Sequence, residues 1–525
     1  MNKQIEEQGL NLLKKGQKGL FHVVFSRVGL MVVLLVLQFM ILFAGFAWFK
    51  EALPHIYGGS TIFAVAMVLY VLNRNHDPSA KITWLVIIMA LPVFGGLFYI
   101  YTQSDLGHRV LKKRMGEIID RTEGSIPQGD EAIDKLKTVN YGAASLAEYI
   151  HRVGKFPTYE NTEVTYFPSG EDKFEELLIQ LRNAKNFIFL EYFIIDEGYM
   201  WGNVLEILAE KVKEGVDVRV IYDGTCEFST LPHDYPKRLG KLGIKCKAFA
   251  PITPFASTHY NYRDHRKIAV IDGDIAFTGG INLADEYINR IEKRGHWKDT
   301  AIMLKGEAVK SFTLMFLQAW NIDEKKMEFE TFMNYNPAPV KSAGGFVVPY
   351  GDCPLDDDKV GERVYMDILN RAQKYVHIMT PYLILDGEME TAIRFAAERG
   401  VDVSIILPAI PDKKVAYSLA KTHYKGMLES GVKIYEYTPG FIHAKVFVSD
   451  DREAVVGTIN LDYRSLYHHF ECAAYMYGTK CINQIESDFR KTAAVSRRVT
   501  HETVKHDKKS LKLLGFVMKG FAPLM

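Results

Sequence analysis

The chain has 525 residues, of which 48% are hydrophobic and 24% are charged, and this composition excludes global disorder and collagen-like repeats. The 64 Lys and Arg residues balance 63 Asp and Glu residues to a formal net charge of +1, which argues against a dedicated nucleic-acid-binding protein. The five cysteines never form a CxxC pair, so neither a disulfide framework nor a cysteine-based zinc site is indicated.

Apolar residues are concentrated at the start of the chain, where 1–103 is predicted to be a membrane anchor. The first uncharged run, 28–49, would form a helix of about 33 Å, enough to cross a bilayer core. Further spans are predicted at 56–72 and 82–101. The sequence therefore predicts a multi-pass protein of the cell membrane, with the lipid bilayer as a partner.

Basic residues flank both ends of this anchor and leave its topology open. Lys14, Lys15 and Lys18 precede the first span, whereas Lys112 and Lys113 follow the last. Both groups favour the inner side of the membrane, which is compatible with two spans but not with three. The number of spans, the side that the remainder faces and the oligomeric state stay open.

The remainder of the chain alternates strand and helix patterns, and the pattern occurs twice. A charged linker, 104–160, precedes a first half at 161–340 and a second half at 341–525. The segment 216–221 (VDVRVI) recurs as 401–406 (VDVSII), and the apolar strand at 186–195 recurs at 375–385. The repeat predicts an α/β fold of two tandem halves related by a pseudo-two-fold axis.

Each half contains one copy of the pattern H-x-K-x-x-x-x-D. The first copy is His265, Lys267 and Asp272, and the second, exactly 178 positions later, is His443, Lys445 and Asp450. Asn282 and Asn460 follow at the same offset. A loose version of this pattern should occur by chance roughly 0.2 times in a chain of this composition, so two strict copies within a repeated fold are a strong signal.

The spacing of the motif indicates its chemistry. Alternate side chains of a strand share a face, so each histidine projects together with its lysine. If the two halves face each other, two ammonium groups and two asparagine amides suit an anionic phosphate. One imidazole can then attack phosphorus while the other protonates the leaving oxygen. Asp272 and Asp450 complete the two motifs and are counted among the catalytic candidates, although their position near the strand ends also fits a structural role.

The paired motifs resemble the HKD signature of the phospholipase D superfamily. The second copy, 456–471 (VGTINLDYRSLYHHFE), is similar to the VGTxNLDxRSLxxxFE stretch of bacterial cardiolipin synthases. The first copy is also similar to theirs, except that Asp264 stands where asparagine is usual. The resemblance extends over nearly all of the chain after about residue 56.

The resemblance implies a phosphatidyltransferase that uses phosphatidylglycerol as both donor and acceptor. His265 would form a phosphatidyl-histidine, and His443 would protonate the leaving glycerol and then activate the second phosphatidylglycerol. By the family pattern, Asp299 would orient His265, and Glu471 would orient His443. No cofactor and no metal is implied, and the sequence contains neither GxxxxGK[ST] nor HExxH.

Other functions remain compatible with the motifs. A membrane-bound transferase with another acceptor, such as a phosphatidylserine synthase, would keep the same chemistry, and a hydrolytic phospholipase D would use water instead. A nuclease fits the anchor and the near-zero net charge less well, and an inactive scaffold fits two complete motifs less well. The lysine-rich, apolar tail 505–525 fits either a membrane-surface helix or a solvated helix.

Overall fold

The computed structural model describes residues 36, 40, 43–48, 51, 59–75, 77–103, 106–126, 130–251, 262–335, 337, 340, 343–356 and 358–524. Most of the predicted first span lies outside these residues. The described elements fall into a small unit, which includes the apolar helices and the end of the chain, and a large unit that carries both motifs. The two units are described separately.

Among the described residues, three helices with complete bounds lie in the small unit, and a hydrophobic cluster there consists of Met67, Val71, Trp84, Ile88 and Tyr99. The helices are Gly59–Leu72, Pro78–Ala90 and Pro92–Gln103, with a 3-10 turn at Ala522–Leu524. The run predicted as a span over 82–101 is divided between two helices, because Leu91 leaves the helical conformation before Pro92. Among the described residues, every helix is too short or too polar to cross a bilayer.

Helices also occupy the charged segment that was expected to be a linker. They are Leu106–Thr122, Asp130–Val139 and Tyr141–Gly154. The last begins at Asn140, whose side chain accepts a hydrogen bond from the Ala143 N–H, and ends at Lys155 in the left-handed conformation. Its buried face consists of small and apolar residues, which explains why the helix Tyr141–Gly154 packs as a folded part of the large unit.

The first half is built on a seven-stranded sheet in the order β1-β9-β7-β6-β2-β3-β4. The strands of this half are β1 (Thr162–Phe167), β2 (Phe187–Tyr192), β3 (Asp217–Asp223), β4 (Lys245–Phe249), β5 (Arg263–Asp264), β6 (Lys267–Ile271), β7 (Ile275–Gly279), β8 (His296–Lys298) and β9 (Ala301–Gly306). Its helices are Gly170–Asn183, Tyr199–Lys213, Cys226–Ser229, Tyr235–Gly240, Val309–Trp320 and Glu330–Met333, with a 3-10 turn at Asp285–Ile288. The central strands β2, β6 and β7 are buried along their whole length, as sheets covered on both faces require.

The second half repeats this sheet as β10-β19-β17-β16-β11-β13-β14, with β20 added at the edge. Its strands are β10 (Phe346–Asp352), β11 (Tyr375–Met379), β12 (Leu383–Ile384), β13 (Asp402–Pro408), β14 (Lys433–Tyr437), β15 (Gly440–Ile442), β16 (Val446–Ser449), β17 (Glu453–Gly457), β18 (Leu461–Asp462), β19 (His469–Tyr477) and β20 (Ser496–Arg498). Its helices are Val360–Arg371, Gly387–Glu398, Lys414–Glu429, Ile482–Ala494, His501–Lys505 and Lys509–Lys519, with a π-helical turn at Arg464–His468. The predicted tandem α/β repeat is therefore confirmed, strand for strand.

Two short parallel pairings join the halves. Strand β5 of the first half pairs with β19 of the second, and β15 of the second half pairs with β8 of the first. The strands β5 and β15 each end directly before a motif histidine. These reciprocal pairings bring the two motifs to one interface.

The motif aspartates Asp272 and Asp450 anchor backbone at the far end of the motif strands. Asp272 accepts hydrogen bonds from three successive N–H groups, of residues 185–187, at 2.7, 2.7 and 2.9 Å. Asp450 does the same for residues 373–375 at 2.8, 2.8 and 2.9 Å. At about 3.3 Å per residue, each carboxylate lies roughly 16 Å along the chain from its lysine, so the structure gives both a structural role.

Replacing either aspartate by alanine should destabilise the fold. Asp272→Ala or Asp450→Ala leaves three N–H groups without their acceptor and places alanine at a φ of 53° or 55°. We expect a loss of roughly 2–4 kcal/mol, seen as a lower melting temperature of the detergent-solubilised protein. Asp→Asn, which keeps an acceptor and tolerates positive φ, should lose less. Asp134→Ala, which removes an exposed ion pair with Lys137, should have little effect. Equal melting temperatures for all these variants would contradict this role.

Candidate active site

The backbone of each motif histidine is hydrogen-bonded to the other half. The N–H of His265 donates to the carbonyl of Phe470 at 2.9 Å, and the N–H of His443 donates to the carbonyl of Lys298 at 2.7 Å. Both imidazoles are buried, with 6% and 7% of their surface exposed. The two contacts extend the β5–β19 and β15–β8 pairings by one residue, so the short strands position both histidines.

The carboxylate partner of each histidine also comes from the other half. His265 Nδ1 lies 2.9 and 3.0 Å from the two carboxylate oxygens of Glu471, and His443 Nδ1 lies 2.7 Å from Asp299 Oδ2. The predicted pairs, Asp299 with His265 and Glu471 with His443, are therefore wrong. The residues were identified correctly, but the partners are exchanged.

The exchange follows from the register of the interface strands. Strand β5 pairs with the start of β19. Glu471, the residue after Phe470, therefore lies close enough to contact His265. Strand β15 pairs with β8. Asp299, the residue after Lys298, therefore lies close enough to contact His443. Each Nδ1 is thus engaged by a carboxylate, which leaves Nε2 as the nitrogen available for chemistry.

A glycine and a threonine at equivalent repeat positions accommodate the two carboxylates. A Cβ at Gly280 would lie 2.0 Å from Asp299 Oδ1, so only glycine fits there. The equivalent residue 178 positions later, Thr458, instead donates its hydroxyl to Glu471 Oε2. Both carboxylates are fully buried, and these neighbours fix their orientation.

The two motif lysines are buried beside the histidines, each with 1% of its surface exposed. Each ammonium group donates to the carbonyl oxygen of its own motif histidine. Burial lowers the pKa of Lys267 to about 8 and that of Lys445 to about 7. The site therefore combines two buried amino groups with the two buried imidazoles, a set of side chains that suits an anion.

Burial also suppresses protonation of both histidines. It lowers the pKa of His265 well below its ordinary value, with help from the charges of Lys267 and Lys445. Burial and Lys445 lower the pKa of His443 to about 4, although Asp299 acts in the opposite direction. Because groups of one half act on the imidazole of the other, the motifs share one electrostatic environment, as their repeat predicts.

The two asparagines differ in their contacts. Asn282 is fully engaged, since its Oδ1 accepts from the Ile194 N–H at 3.0 Å and its Nδ2 donates to the Tyr287 hydroxyl at 2.7 Å. Asn460 Nδ2 donates to Asp462 at 3.3 Å, whereas its buried Oδ1 has no partner. Asn282 therefore stabilises the site through both ends of its amide, whereas Asn460 has a buried Oδ1 acceptor without a partner.

Aromatic rings pack around the histidines, and sequence reasoning missed them. Trp297 lies 5.5 Å from the ring of His443, and His469 lies 5.4 Å from the ring of His265. Each stands two residues before the carboxylate that contacts the neighbouring histidine. That shared offset was the only sequence signal for them.

Three groups at the site lie close enough to hold a cation. His265, His469 and Glu471 offer ligand atoms within 4.8 Å of one another, and all three are buried. A second such cluster among the described residues, Glu362, Asp386 and Glu388, is partly exposed. In the first cluster the hydrogen bond between His265 and Glu471 already occupies one ligand nitrogen.

A cavity of about 680 Å³ also lies in the large unit. Arg266 and Phe470, the neighbours of His265 and Glu471 in the chain, contribute to its lining. Arg266 lies 2.7 Å from Glu191, and burial raises the pKa of that carboxyl. The cavity is lined by neighbours of the catalytic candidates and not by the histidines and lysines themselves.

Comparisons with known families agree with the geometry. The family model described as cardiolipin synthase, PLD-like domain matches residues 177–320 and 365–493, one match in each half. The model described as phospholipase D-nuclease N-terminal matches residues 62–101.

Similar proteins cover most of the chain. An uncharacterised protein of Streptococcus mutans serotype c is 58% identical over 461 residues, which are 88% of this chain and all of that one. A cardiolipin synthase of Alkalihalophilus pseudofirmus is 31% identical over 487 residues, covering 91% of this chain and 95% of the relative. The crystal structure of phosphatidylserine synthase from Haemophilus influenzae shares the fold, with a TM-score of 0.55, 16% identity and coverage of 72% of this chain and 98% of that one.

Anion binding at this site should weaken as the pH rises. Lys445 and Lys267 lose their charge near pH 7 and pH 8, and Glu471, whose pKa burial raises to about 8, gains a negative charge over the same range, whereas sulfate stays dianionic. Burial holds the pKa of both histidines below its ordinary value. Loss of a single charge-assisted hydrogen bond corresponds to roughly a tenfold weaker affinity. Calorimetric titration of sulfate into the detergent-solubilised protein at pH 6 and pH 9 measures this. The double variant Lys267→Met/Lys445→Met should show weak affinity at both values. An unchanged affinity in the unmodified protein would contradict the proposed lysine site.

Proposed function

The chain belongs to the cardiolipin synthase family of phospholipase D-like proteins, and we propose that it joins two phosphatidylglycerol molecules into cardiolipin with release of glycerol. One observation carries this proposal: two buried histidines share one site, each held by a carboxylate of the other half and accompanied by a buried lysine. That arrangement supplies a nucleophile, an acid and base, and two cations for a phosphodiester exchange.

In the first step, His265 Nε2 attacks the phosphorus of a phosphatidylglycerol. A nitrogen–phosphorus bond forms, the phosphorus–oxygen bond to glycerol breaks, and His443 donates its Nε2 proton to the leaving oxygen. The electrostatics support this assignment. The strongly lowered pKa of His265 keeps it an unprotonated nucleophile. The pKa of His443 is lowered to about 4 in the free site, so His443 takes up a proton as the anionic substrate binds, and Asp299 favours that protonated form. The negative charge of the bound phosphodiester also favours that form.

In the second step, His443 acts as the base. It removes the proton from the terminal hydroxyl of a second phosphatidylglycerol as that oxygen attacks phosphorus. The bond to His265 breaks and cardiolipin leaves. Lys267 and Lys445 stabilise the charge on the phosphoryl oxygens in both transition states. One phosphodiester replaces another, so the exchange requires no external energy source.

The anchor is part of the proposal, because both substrates are confined to a bilayer. We propose that the apolar N-terminal region holds the enzyme in the cell membrane as a multi-pass segment. Exposed apolar side chains support this, since Ile62, Val65 and Leu69 share one helix face and are 67%, 54% and 55% exposed. Such faces are stable in contact with lipid.

The purified protein should convert labelled phosphatidylglycerol into cardiolipin and glycerol. His265→Ala and His443→Ala should each reduce turnover by about 10⁴-fold or more, because each removes a group that the chemistry requires. Thin-layer chromatography of the lipid products, with a glycerol assay, measures the conversion. Formation of phosphatidic acid alone would show a hydrolase instead.

Rapid quenching tests the roles of the two histidines. In the unmodified enzyme, mass spectrometry should find the phosphatidyl adduct on His265. His233→Ala, an exposed histidine paired with Glu227, serves as the control and should retain turnover. An adduct on His443 would reverse the assignment.

The exchanged carboxylate pairs predict a specific response to an activated donor. A p-nitrophenyl phosphatidyl ester has a leaving group that needs no general acid, so its release reports on His265 alone. Asp299→Asn should therefore behave like His443→Ala and keep the burst of p-nitrophenolate. Glu471→Gln should behave like His265→Ala and slow that burst by about 100-fold or more.

Stopped-flow absorbance measures the burst in all four variants. Loss of the burst in Asp299→Asn, together with its retention in Glu471→Gln, would contradict the pairing seen in the structure. It would instead support pairing within each half.

A further inference from the structure

The repeat places different residues at equivalent positions around the two catalytic histidines. Gly279 pairs with Ala301 in the first sheet, and Gly457 pairs with Ala473 in the second, so Trp297 and His469 occupy equivalent positions. Two residues before the histidines, Arg263 of the first half corresponds to Phe441 of the second. The pseudo-symmetry therefore holds for the backbone but not for these side chains.

The surroundings of His443 are aromatic. The rings of Trp297 and Tyr287 each lie 5.5 Å from its imidazole, and the ring of Phe441 lies 5.9 Å away. The ring of Trp297 contacts both of the others, since it lies 4.9 Å from Tyr287 and 4.8 Å from Phe441. Together they form an aromatic wall, defined here as Tyr287, Trp297 and Phe441.

The surroundings of His265 are more polar. Phe193 lies 5.0 Å from its imidazole and His469 lies 5.4 Å away, and the backbone of His469 is paired with that of Arg263. The guanidinium of Arg263 is engaged with the Ala250 carbonyl and lies 3.7 Å from Asp223. This side presents positive charge and imidazole nitrogens where the His443 side presents rings.

One polar atom in the aromatic wall has no partner. The indole N–H of Trp297 is buried and makes no hydrogen bond, although its ring is packed on three sides. A buried donor without an acceptor costs free energy, so its presence beside the acid–base histidine indicates that a ligand supplies the acceptor. The other two members differ, because the Tyr287 hydroxyl is already bonded to Asn282 and Phe441 has no polar atom.

We propose that the aromatic wall is the subsite of the acceptor alcohol and that it makes transfer prevail over hydrolysis. This inference rests on the proposed function and deepens it. The hydroxyl oxygen of the acceptor takes a hydrogen bond from Trp297 Nε1 and gives its proton to His443 as it attacks phosphorus. The carbon skeleton of its glycerol lies on the rings.

The wall discriminates because the two competing acceptors differ in apolar surface. A glycerol headgroup buries carbon–hydrogen surface against the rings, which favours its binding. A water molecule has no apolar surface to bury there and would lose hydrogen bonds to bulk water. With water as the acceptor, the same bond to His265 breaks, oxygen bonds to phosphorus and phosphatidic acid leaves. Both products arise from one phosphatidyl-histidine, so their ratio reports on the acceptor subsite alone.

The test measures the ratio of phosphatidic acid to cardiolipin formed from labelled phosphatidylglycerol in mixed micelles. Trp297→Ala removes ring and donor and should raise this ratio about tenfold or more. Trp297→Phe keeps a ring but loses the N–H, so it should raise the KM for the acceptor more than it raises the ratio. Phe441→Leu, which leaves the indole in place, should raise the ratio to a smaller extent.

His469→Ala is the matched control, because it truncates the equivalent position beside the other histidine. It should change the rate of adduct formation and leave the product ratio as in the unmodified enzyme. A purely structural role of Trp297 would lower both products together.

The outcomes separate this inference from the proposed function. If the unmodified enzyme makes no cardiolipin, the proposed function fails. If it makes cardiolipin, and Trp297→Phe and Phe441→Leu keep both the unmodified ratio and the unmodified acceptor KM, the acceptor subsite is overturned. These two variants decide the question even if Trp297→Ala does not fold.

Discussion

The structure depends on a reciprocal clamp in which each motif histidine is held by the half of the protein that does not contain it. One backbone hydrogen bond and one Nδ1–carboxylate contact fix His265 to Phe470 and Glu471. The same two contacts fix His443 to Lys298 and Asp299. Neither half can therefore form a competent site alone, and a shift between the halves would disturb both histidines together.

The residues of the clamp surround charged groups whose burial is energetically unfavourable. Glu471 and Asp299 are completely buried, and Lys267 and Lys445 are nearly so. Carboxylates and ammonium groups offset one another's desolvation only in part, as the lowered pKa values of both lysines show. A bound anion would stabilise the charged form of both lysines, which agrees with the proposed phosphodiester substrate.

The repeat preserves the clamp and varies what surrounds it. Both halves keep the strand order, the histidine–lysine spacing and the aspartate that anchors backbone. They differ at two equivalent positions. Trp297 of the first half corresponds to His469 of the second, and Arg263 of the first half corresponds to Phe441 of the second. Two histidines with the same backbone setting can thus serve as nucleophile and as acid–base group, because their environments differ.

The sequence by itself determined the repeated α/β fold and the two motifs, because these depend on local spacing and a constant offset. Its resemblance to a known family supplied the two carboxylates, Asp299 and Glu471. It did not predict which carboxylate meets which histidine, nor the break before Pro92 in an otherwise apolar run. The pairs join residues 206 and 144 positions apart through strands of two or three residues, too short to show periodicity. Only the tertiary structure decided the pairing, because backbone hydrogen bonds between the halves set that register.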